Sequence, residues 1–186
     1  GSRKPGQTRL DLLQKNVGVF KSFISKIVAS GFNGIFLVAS NPVDVMTRLT
    51  YELSGFPANR VIGSGTTLDT ARLRYLIGDY FQADPHSVHG YVIGEHGDSE
   101  FVPFSQLNLS TKNVEEFFSD ERFKDEYKRE DIEQIIEKVK TSGAEVIKLK
   151  GATYYGIGMS LVRITKAIFG DENSVITASS RLNGEY

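Results

Sequence analysis

Cysteine is missing from this chain of 186 residues, and its absence excludes several kinds of site. Disulfide bonds, thiol nucleophiles and cysteine metal sites all need that side chain. The three histidines do not predict a metal site either, because their spacing matches no metal-binding motif such as HExxH. We therefore predict that the functional site contains no metal.

The chain also lacks an excess of charge of one sign. Its formal net charge is −1, so we expect neither a nucleic acid nor a membrane as partner. No stretch approaches the roughly 20 apolar residues that a membrane span needs, and no secretory signal opens the chain. Together with the lack of cysteine, this favours a cytoplasmic location.

The two ends of the chain suggest an interior piece of a longer protein. The chain does not begin with methionine, Gly1 and Ser2 could be a cloning scar, and residues 182–186 are typical of a strand entering a turn. A chain of this length suits one domain or two small lobes.

Helical and extended patterns alternate along the chain, which predicts the α/β fold class. The continuous apolar run at residues 35–39 follows a long helical pattern and predicts a parallel strand buried on both faces. Helices are predicted at 10–29, 43–53, 68–81, 113–118, 131–149 and 157–169. Further strands are predicted at 60–63, 88–93, 101–109 and 175–178.

Ser40 and Asn41 directly follow the predicted strand at residues 35–39. Ligands of open α/β sheets bind at the carboxyl ends of the strands, so both residues are candidates for binding. Asn41 precedes Pro42 and the next predicted helix, and it could equally cap that helix. The two roles can coexist.

His96 lies in the sequence Gly-Glu-His-Gly-Asp at residues 94–98, immediately after an apolar run. Histidine can gain or lose a proton near neutral pH, and a glycine-containing loop can present its ring to a bound molecule. A lone histidine is more often structural than catalytic. Whether His96 is catalytic depends on whether the chain also supplies an acid to orient it and a cation to hold a substrate.

Asp69 and Arg72 are candidates for those partners. They are three residues apart on a predicted helix and therefore share a face. They could form a surface ion pair of little energetic value, but the apolar composition of this helix predicts burial. The basic segment at residues 3–9, which ends at Arg9, could close over an anion or could be a solvated linker.

These four side chains suit the reduction of a 2-oxo acid or the oxidation of a 2-hydroxy acid. An arginine such as Arg72 grips a carboxylate with two N–H groups, and His96 can exchange the proton. An acid such as Asp69 would orient the ring and favour its protonated form. Arg9 could polarise the carbonyl when its loop closes. No side chain transfers hydride, so a nicotinamide cofactor is required.

Five motifs occur in a characteristic order: KPGQTR at residues 4–9, VASNPVD at 38–44, GSGTTLDTAR at 63–72, IGEHGD at 93–98 and KGATYYG at 150–156. Together they resemble the L-lactate branch of the lactate/malate dehydrogenase family, and the similarity covers essentially the whole chain. The resemblance implies that His96 is the proton donor and acceptor, with Asp69 as its partner and Arg9 as a catalytic residue of the loop.

The resemblance also implies the contacts of substrate and cofactor, here NAD. The residues expected to bind the 2-oxo or 2-hydroxy acid are Arg3, Arg9, Asn41, Arg72 and Thr153. The residues expected to line the NAD site are Ala39, Ser40, Asn41 and Ser64.

Arg74 and His89 match positions that bind the activator fructose 1,6-bisphosphate across a subunit interface in bacterial members of the family. An ordinary surface arginine and a structural histidine would explain them equally well. The resemblance further implies a homo-oligomer, expected to be a tetramer.

The implied fold is the second half of a Rossmann-type NAD-binding domain at residues 1–64, followed by an α+β substrate domain at residues 65–186, both truncated. The glycine-rich fingerprint and the acidic residue for the adenosine ribose are missing. A non-catalytic fragment that lacks the cofactor half is therefore an alternative.

Arg3 stands where lactate enzymes usually carry glutamine and malate enzymes usually carry arginine. A guanidinium there would pair with the second carboxylate of oxaloacetate, and it would lack that partner with pyruvate. Arg3 therefore favours malate, whereas Thr153, Ile157 and the overall sequence favour lactate. Lactate is our first expectation, with malate dehydrogenase as the alternative.

Overall fold

The computed structural model describes the backbone of residues 9–184 and the side chains of residues 13–184. Arg3 and the side chain of Arg9 therefore lie outside the described residues. Within them, six α-helices accompany two small β-sheets, as the α/β interpretation requires.

The first part of the chain is a helix–strand–helix–strand unit. Its elements are α1 (Arg9–Ala29), β1 (Phe36–Val38), α2 (Val43–Ser54) and β2 (Val61–Gly63). Strands β1 and β2 run parallel, and Val38 at the end of β1 pairs with Gly63 at the end of β2. The predicted helices and strands of this part are confirmed, and the two strands present their carboxyl ends at one edge.

The second part contains an antiparallel sheet and four helices. The sheet has the order β3 (Val88–His89), β4 (Asn108–Leu109) and β5 (Lys112–Asn113). The helices are α3 (Thr67–Tyr80), α4 (Val114–Ser119), α5 (Arg129–Lys150) and α6 (Tyr155–Phe169). All four correspond to predicted helices.

Helix α3 is the central element of the larger core. Its Leu73 and Ile77 are fully buried and belong to one cluster with Leu107 of the loop before β4 and Ile132 and Val139 of α5. Full burial of such a side chain stabilises the fold by about 1.5–3 kcal/mol. The packing holds α3 firmly, and α3 carries Asp69 and Arg72.

The predicted strand at residues 101–109 is mostly wrong. A short 3-10 helix, Phe104–Gln106, occupies its middle, and only Asn108 and Leu109 join a sheet. Pro103 immediately precedes this helix with φ −72°. Proline has no N–H for a strand ladder and its fixed φ suits the start of a helical turn, which explains the difference.

The apolar run at residues 88–93 forms strand only at Val88 and His89. Farther along, threonine hydroxyl groups of the α3 region replace a neighbouring strand as partners of Val92. The Thr66 hydroxyl donates to the Val92 carbonyl at 2.6 Å, and the Val92 N–H donates to Thr70 Oγ1 at 3.0 Å. The run is buried as predicted, but a helix satisfies its polar groups.

The predicted final strand at residues 175–178 is not part of a sheet in the structure. Only Ser179 bridges Gly63, through two N–H to O=C bonds of 2.9 and 3.0 Å. Gly65 has φ +50°, and a Cβ atom there would lie 2.5 Å from the Thr177 carbonyl oxygen. Glycine permits this close approach, and the Thr177 carbonyl accepts from the Thr66 N–H at 3.0 Å, at the start of α3, instead of from a strand.

None of the helices within residues 9–184 is both long enough and apolar enough to span a membrane.

Candidate active site

The loop that carries His96 is closed by a single bridge. Ile93 and Phe101 exchange two backbone hydrogen bonds of 2.9 Å across the ends of the loop. Gly94 has φ 93° and Gly97 has φ 139°, which are backbone conformations that residues other than glycine rarely adopt. The glycines on either side therefore permit the tight turn that presents His96.

The ring of His96 is held by Asp69 of α3. Nδ1 of the ring lies 2.8 Å from Oδ2 of Asp69, and the Asp69 side chain is only 3% exposed. The His96 side chain keeps 30% of its surface exposed. Because Nδ1 is engaged by the carboxylate, proton exchange with a bound molecule falls to Nε2.

Arg72 contacts the second oxygen of the same carboxylate. Its Nη1 donates to Oδ1 of Asp69 at 3.2 Å, so the two residues do share a face of α3. Asp69 also lies in the first turn of the helix, where the helix dipole favours negative charge. One buried carboxylate therefore joins a histidine to an arginine.

Glu100 is a member of the site that the sequence reasoning missed. It is 2% exposed, its Oε2 accepts from the Gly97 N–H at 3.3 Å, and the same oxygen lies 3.6 Å from Nδ1 of His96. The available signal was an acid four residues after the histidine, in a loop too short to move it far away.

Asp44 is the second member that was missed. Its Oδ2 accepts from the backbone N–H of His96 at 2.9 Å, and its Oδ1 accepts from the Ser179 hydroxyl at 2.5 Å. Asp44 lies in the first turn of α2, three residues after Asn41. It therefore connects the start of α2, the His96 loop and the segment that bridges β2.

The surroundings of His96 strongly favour its protonated form. The hydrogen bond to Asp69, and secondly the nearby carboxylate of Glu100, raise the pKa of His96 to about 10, against the opposing effect of partial burial. At neutral pH the ring therefore carries a proton that it can donate. A neutral ring, which could accept a proton, becomes predominant only as the pH rises through about 10.

The same three groups resemble a metal site, because the ligand atoms of Asp69, His96 and Glu100 lie within 4.8 Å of one another. A metal ion would have to displace the proton from Nδ1. The neighbouring Arg72 cation also competes for Asp69. The chemistry of the cluster therefore favours a proton over a metal ion.

The residues expected to line the NAD site lie at the carboxyl ends of β1 and β2. The Ser64 N–H donates to the Val38 carbonyl at 2.8 Å, which brings the two strand ends together. Ala39 and Asn41 are exposed, Ser40 is half-buried and Ser64 is buried. An exposed amide beside small side chains fits the polar nicotinamide end of a dinucleotide.

Asn41 does not cap α2 with its side chain. Pro42 occupies the N-cap position, and no side-chain hydrogen bond caps the helix. The Asn41 carbonyl instead accepts from the buried Asn16 side chain of α1 at 2.8 Å. Because proline takes the cap position, the capping prediction for Asn41 is wrong, and its exposed side chain is left for another role.

Thr153 is half-buried between α5 and α6, and within the described side chains no hydrogen bond joins it to His96. Three residues later, Gly156 packs on Leu68, the neighbour of Asp69, where a Cβ atom would lie 3.1 Å from Leu68 Cδ1. The start of α6 therefore approaches the helix that carries the site.

Arg74 lies on α3, and His89 lies at the end of β3. The Arg74 Nε donates to the Gly90 carbonyl at 3.1 Å, and its guanidinium stacks on Tyr91. His89 is exposed beside Gly90. Arg74 therefore contacts the residue that follows His89 in the sequence.

The histidine is hydrogen-bonded to a buried acid, and an arginine binds the same acid. This geometry suits acid–base chemistry. The chain belongs to the lactate/malate dehydrogenase family: residues 1–63 match its NAD-binding domain and residues 66–186 match its alpha/beta C-terminal domain.

Similar proteins of known name are L-lactate dehydrogenases. The chain is 51% identical over 185 residues to L-lactate dehydrogenase of Bacillus pumilus, covering 100% of this chain and 58% of that relative. L-lactate dehydrogenase 2 of Bacillus cereus is 52% identical over 184 residues, 99% of this chain and 58% of that relative.

A solved structure supports the same family assignment. The minor L-lactate dehydrogenase from Enterococcus mundtii in its ligands-bound form has a TM-score of 0.94 and 48% identity over 100% of this chain and 58% of that one. The resemblance recognised from the motifs and the truncated α/β fold are thereby confirmed. The chain spans well under two thirds of the length of these relatives.

The contact between His96 and Asp69 predicts the direction of a pKa change. In Asp69→Asn the pKa of His96 should fall from about 10 toward its ordinary 6.5, because the charge that stabilises the imidazolium is lost. An NMR titration of the ring measures the pKa. Asp79→Asn, an exposed position on the same helix, is the control and should leave it unchanged.

The raised pKa of His96 also determines how the stability of the fold depends on pH. Since the folded-state pKa exceeds that of the unfolded chain, the His96 contribution is complete below pH 6.5 and is lost as the pH rises through about 10. A pKa of His96 that stays near 10 in Asp69→Asn would show that Asp69 does not hold the proton.

Proposed function

We propose that this chain forms part of an NAD-dependent L-2-hydroxy acid dehydrogenase of the lactate type, which interconverts pyruvate and L-lactate. The observation that carries the proposal is the 2.8 Å contact of His96 with a buried Asp69 that also binds Arg72. His96 therefore carries a proton that it can transfer, and the neighbouring Arg72 is a cation suited to binding a carboxylate.

His96 is the acid and the base of the proposed reaction. In reduction its Nε2 donates a proton to the oxygen that becomes the hydroxyl, and in oxidation the neutral ring removes that proton. Asp69 keeps the ring in the required orientation and stabilises the imidazolium. The high pKa of His96 favours donation, so it supports reduction as the easier direction at neutral pH.

Arg72 is proposed to bind the substrate carboxylate. Asp69 engages one N–H group of the guanidinium and thereby fixes its plane, and a planar guanidinium can grip a carboxylate through two parallel hydrogen bonds. Arg9 is proposed to polarise the carbonyl, Asn41 to contact substrate and cofactor, and Thr153 to line the pocket near the substrate.

NAD, when bound, supplies the hydride acceptor or donor that no side chain can provide. Ala39, Ser40, Asn41 and Ser64 are proposed to hold its nicotinamide end at the strand ends. The sequence contains no GxGxxG fingerprint for the remainder of the dinucleotide. The alternative, a catalytically incompetent fragment, therefore stays open for the 186-residue chain itself.

Lactate is proposed over malate as the product. The relatives at 51% and 52% identity are L-lactate dehydrogenases. Thr153 and Ile157 favour lactate through the family resemblance. Arg3 remains the residue that favours oxaloacetate. Its proposed effect is a relaxed preference between the two keto acids.

Regulation and assembly are proposed from the same resemblance. Arg74 and His89 would bind fructose 1,6-bisphosphate across an interface of a cytoplasmic homotetramer, and the hydrogen bond of Arg74 to the Gly90 carbonyl, next to His89 in the sequence, supports a common basic site.

His96→Asn should abolish turnover, because asparagine cannot donate the proton at neutral pH. Absorbance at 340 nm with NADH and pyruvate measures the loss. The assay is run on the 186-residue chain and on a chain extended to its relatives' length with the parts of the Bacillus pumilus enzyme outside the matched region. Unchanged activity in the extended His96→Asn chain would refute the proposed role.

Arg3→Gln should move the preference of the extended chain from oxaloacetate toward pyruvate, because a cation for the second carboxylate is removed. The measurement is the ratio of kcat/KM for the two keto acids, with Lys4→Gln as the charge-matched control. An unchanged ratio would place Arg3 outside the pocket.

Fructose 1,6-bisphosphate should lower the KM for pyruvate of the extended chain, and Arg74→Gln should weaken this activation about tenfold or more by removing a charged phosphate contact. Arg48→Gln, on the exposed face of α2, is the control. Equal activation of all three proteins would exclude Arg74 from an activator site.

A further inference from the structure

Glu100 is a buried carboxylate for which the family reaction, as proposed above, has no use. The residue is 2% exposed, and an uncompensated charge at such a position is costly. Its carboxylate must therefore be matched by nearby donors or cations. Two candidates lie within reach, the Gly97 N–H at 3.3 Å and His96 Nδ1 at 3.6 Å.

Nδ1 of His96 consequently lies beside two carboxylates that come from different elements. Asp69 approaches at 2.8 Å from helix α3, and Glu100 approaches from the histidine loop itself. We propose that Glu100 is a second positioning residue for His96, whose carboxylate forms an ion pair with the ring that Asp69 hydrogen-bonds and links the ring to the turn at residues 97–100. This rests on the proposed role of His96 as proton donor.

The charges of the cluster give Glu100 a specific task. Asp69 is shared between two cations, Arg72 and protonated His96, so one negative charge faces two positive charges. Glu100 adds the second negative charge and brings the buried cluster to neutrality. Asp44, another acid in contact with His96, binds its backbone N–H instead of the ring.

Glu100 should therefore set the pH range of the reaction as well as the orientation of the ring. Its contact with Nδ1 is the second largest cause of the raised pKa of His96, after Asp69. Reduction of a keto acid needs protonated His96. The carboxylate of Glu100 would extend reduction to higher pH than Asp69 alone could support.

Glu100→Gln tests this directly, because glutamine keeps the length of the side chain and an oxygen for the Gly97 N–H but loses the charge. An NMR titration of the chain should show the proton affinity of His96 about tenfold lower, a smaller loss than in Asp69→Asn. His96→Asn identifies the resonance. Glu95→Gln, an exposed glutamate in the same loop, should leave the titration unchanged.

Kinetics separate positioning from a merely structural role. In the extended chain the upper limb of the pH profile of kcat/KM for pyruvate should move to lower pH in Glu100→Gln. A purely structural residue would lower activity by the same factor at every pH. Glu100→Asp, which keeps the charge on a shorter side chain, should restore part of the shift.

An unchanged titration of His96 in Glu100→Gln overturns the proposal. If that variant does not fold, Glu100→Ala, which also removes the carboxylate, decides, and a His96 titration equal to that of the original chain overturns the proposal as well. Failure of the proposed function looks different. The extended chain would then oxidise no NADH with pyruvate, while the titrations would still show whether Glu100 raises the proton affinity of His96.

Discussion

The carboxylate of Asp69 is the constraint on which the site depends. It is buried, and a buried negative charge is tolerated only where donors surround it. His96 and Arg72 are those donors, one on each oxygen. The two side chains are therefore placed by the need to satisfy a single charge, which explains how an acid–base group and an anion-binding group come to lie side by side.

Helix α3 makes this arrangement rigid. Apolar residues such as Leu73 anchor one face of the helix in the core, and the hydroxyls of Thr66 and Thr70 hold the backbone of Val92 just before the histidine loop. Asp44 then fixes the backbone of His96 from α2. The contacts join segments that are 26 and 52 residues apart in the sequence, so the site forms only when the two parts of the chain are packed together.

Residue types and local spacing were enough to predict part of this molecule. The helices follow apolar periodicity, and the pairing of Asp69 with Arg72 follows from three-residue spacing on a helix. The roles of Glu100 and Asp44 depend on how a short loop turns, which residue spacing does not determine. The strand predictions for the second part of the chain failed for a related reason. An apolar run shows that Val92 is buried, but not whether its polar groups bond to a strand or to threonine side chains.

The side-chain acceptors around the histidine loop have a consequence for how the protein opens. The amide protons of Val92, His96 and Gly97 bond to Thr70, Asp44 and Glu100 instead of to water. A loop held in this way cannot fray by itself, because releasing it breaks contacts with α2 and α3 together. We therefore expect the loop to open together with the core helices, so that the amides of Val92 and His96 exchange hydrogen as slowly as those helices do.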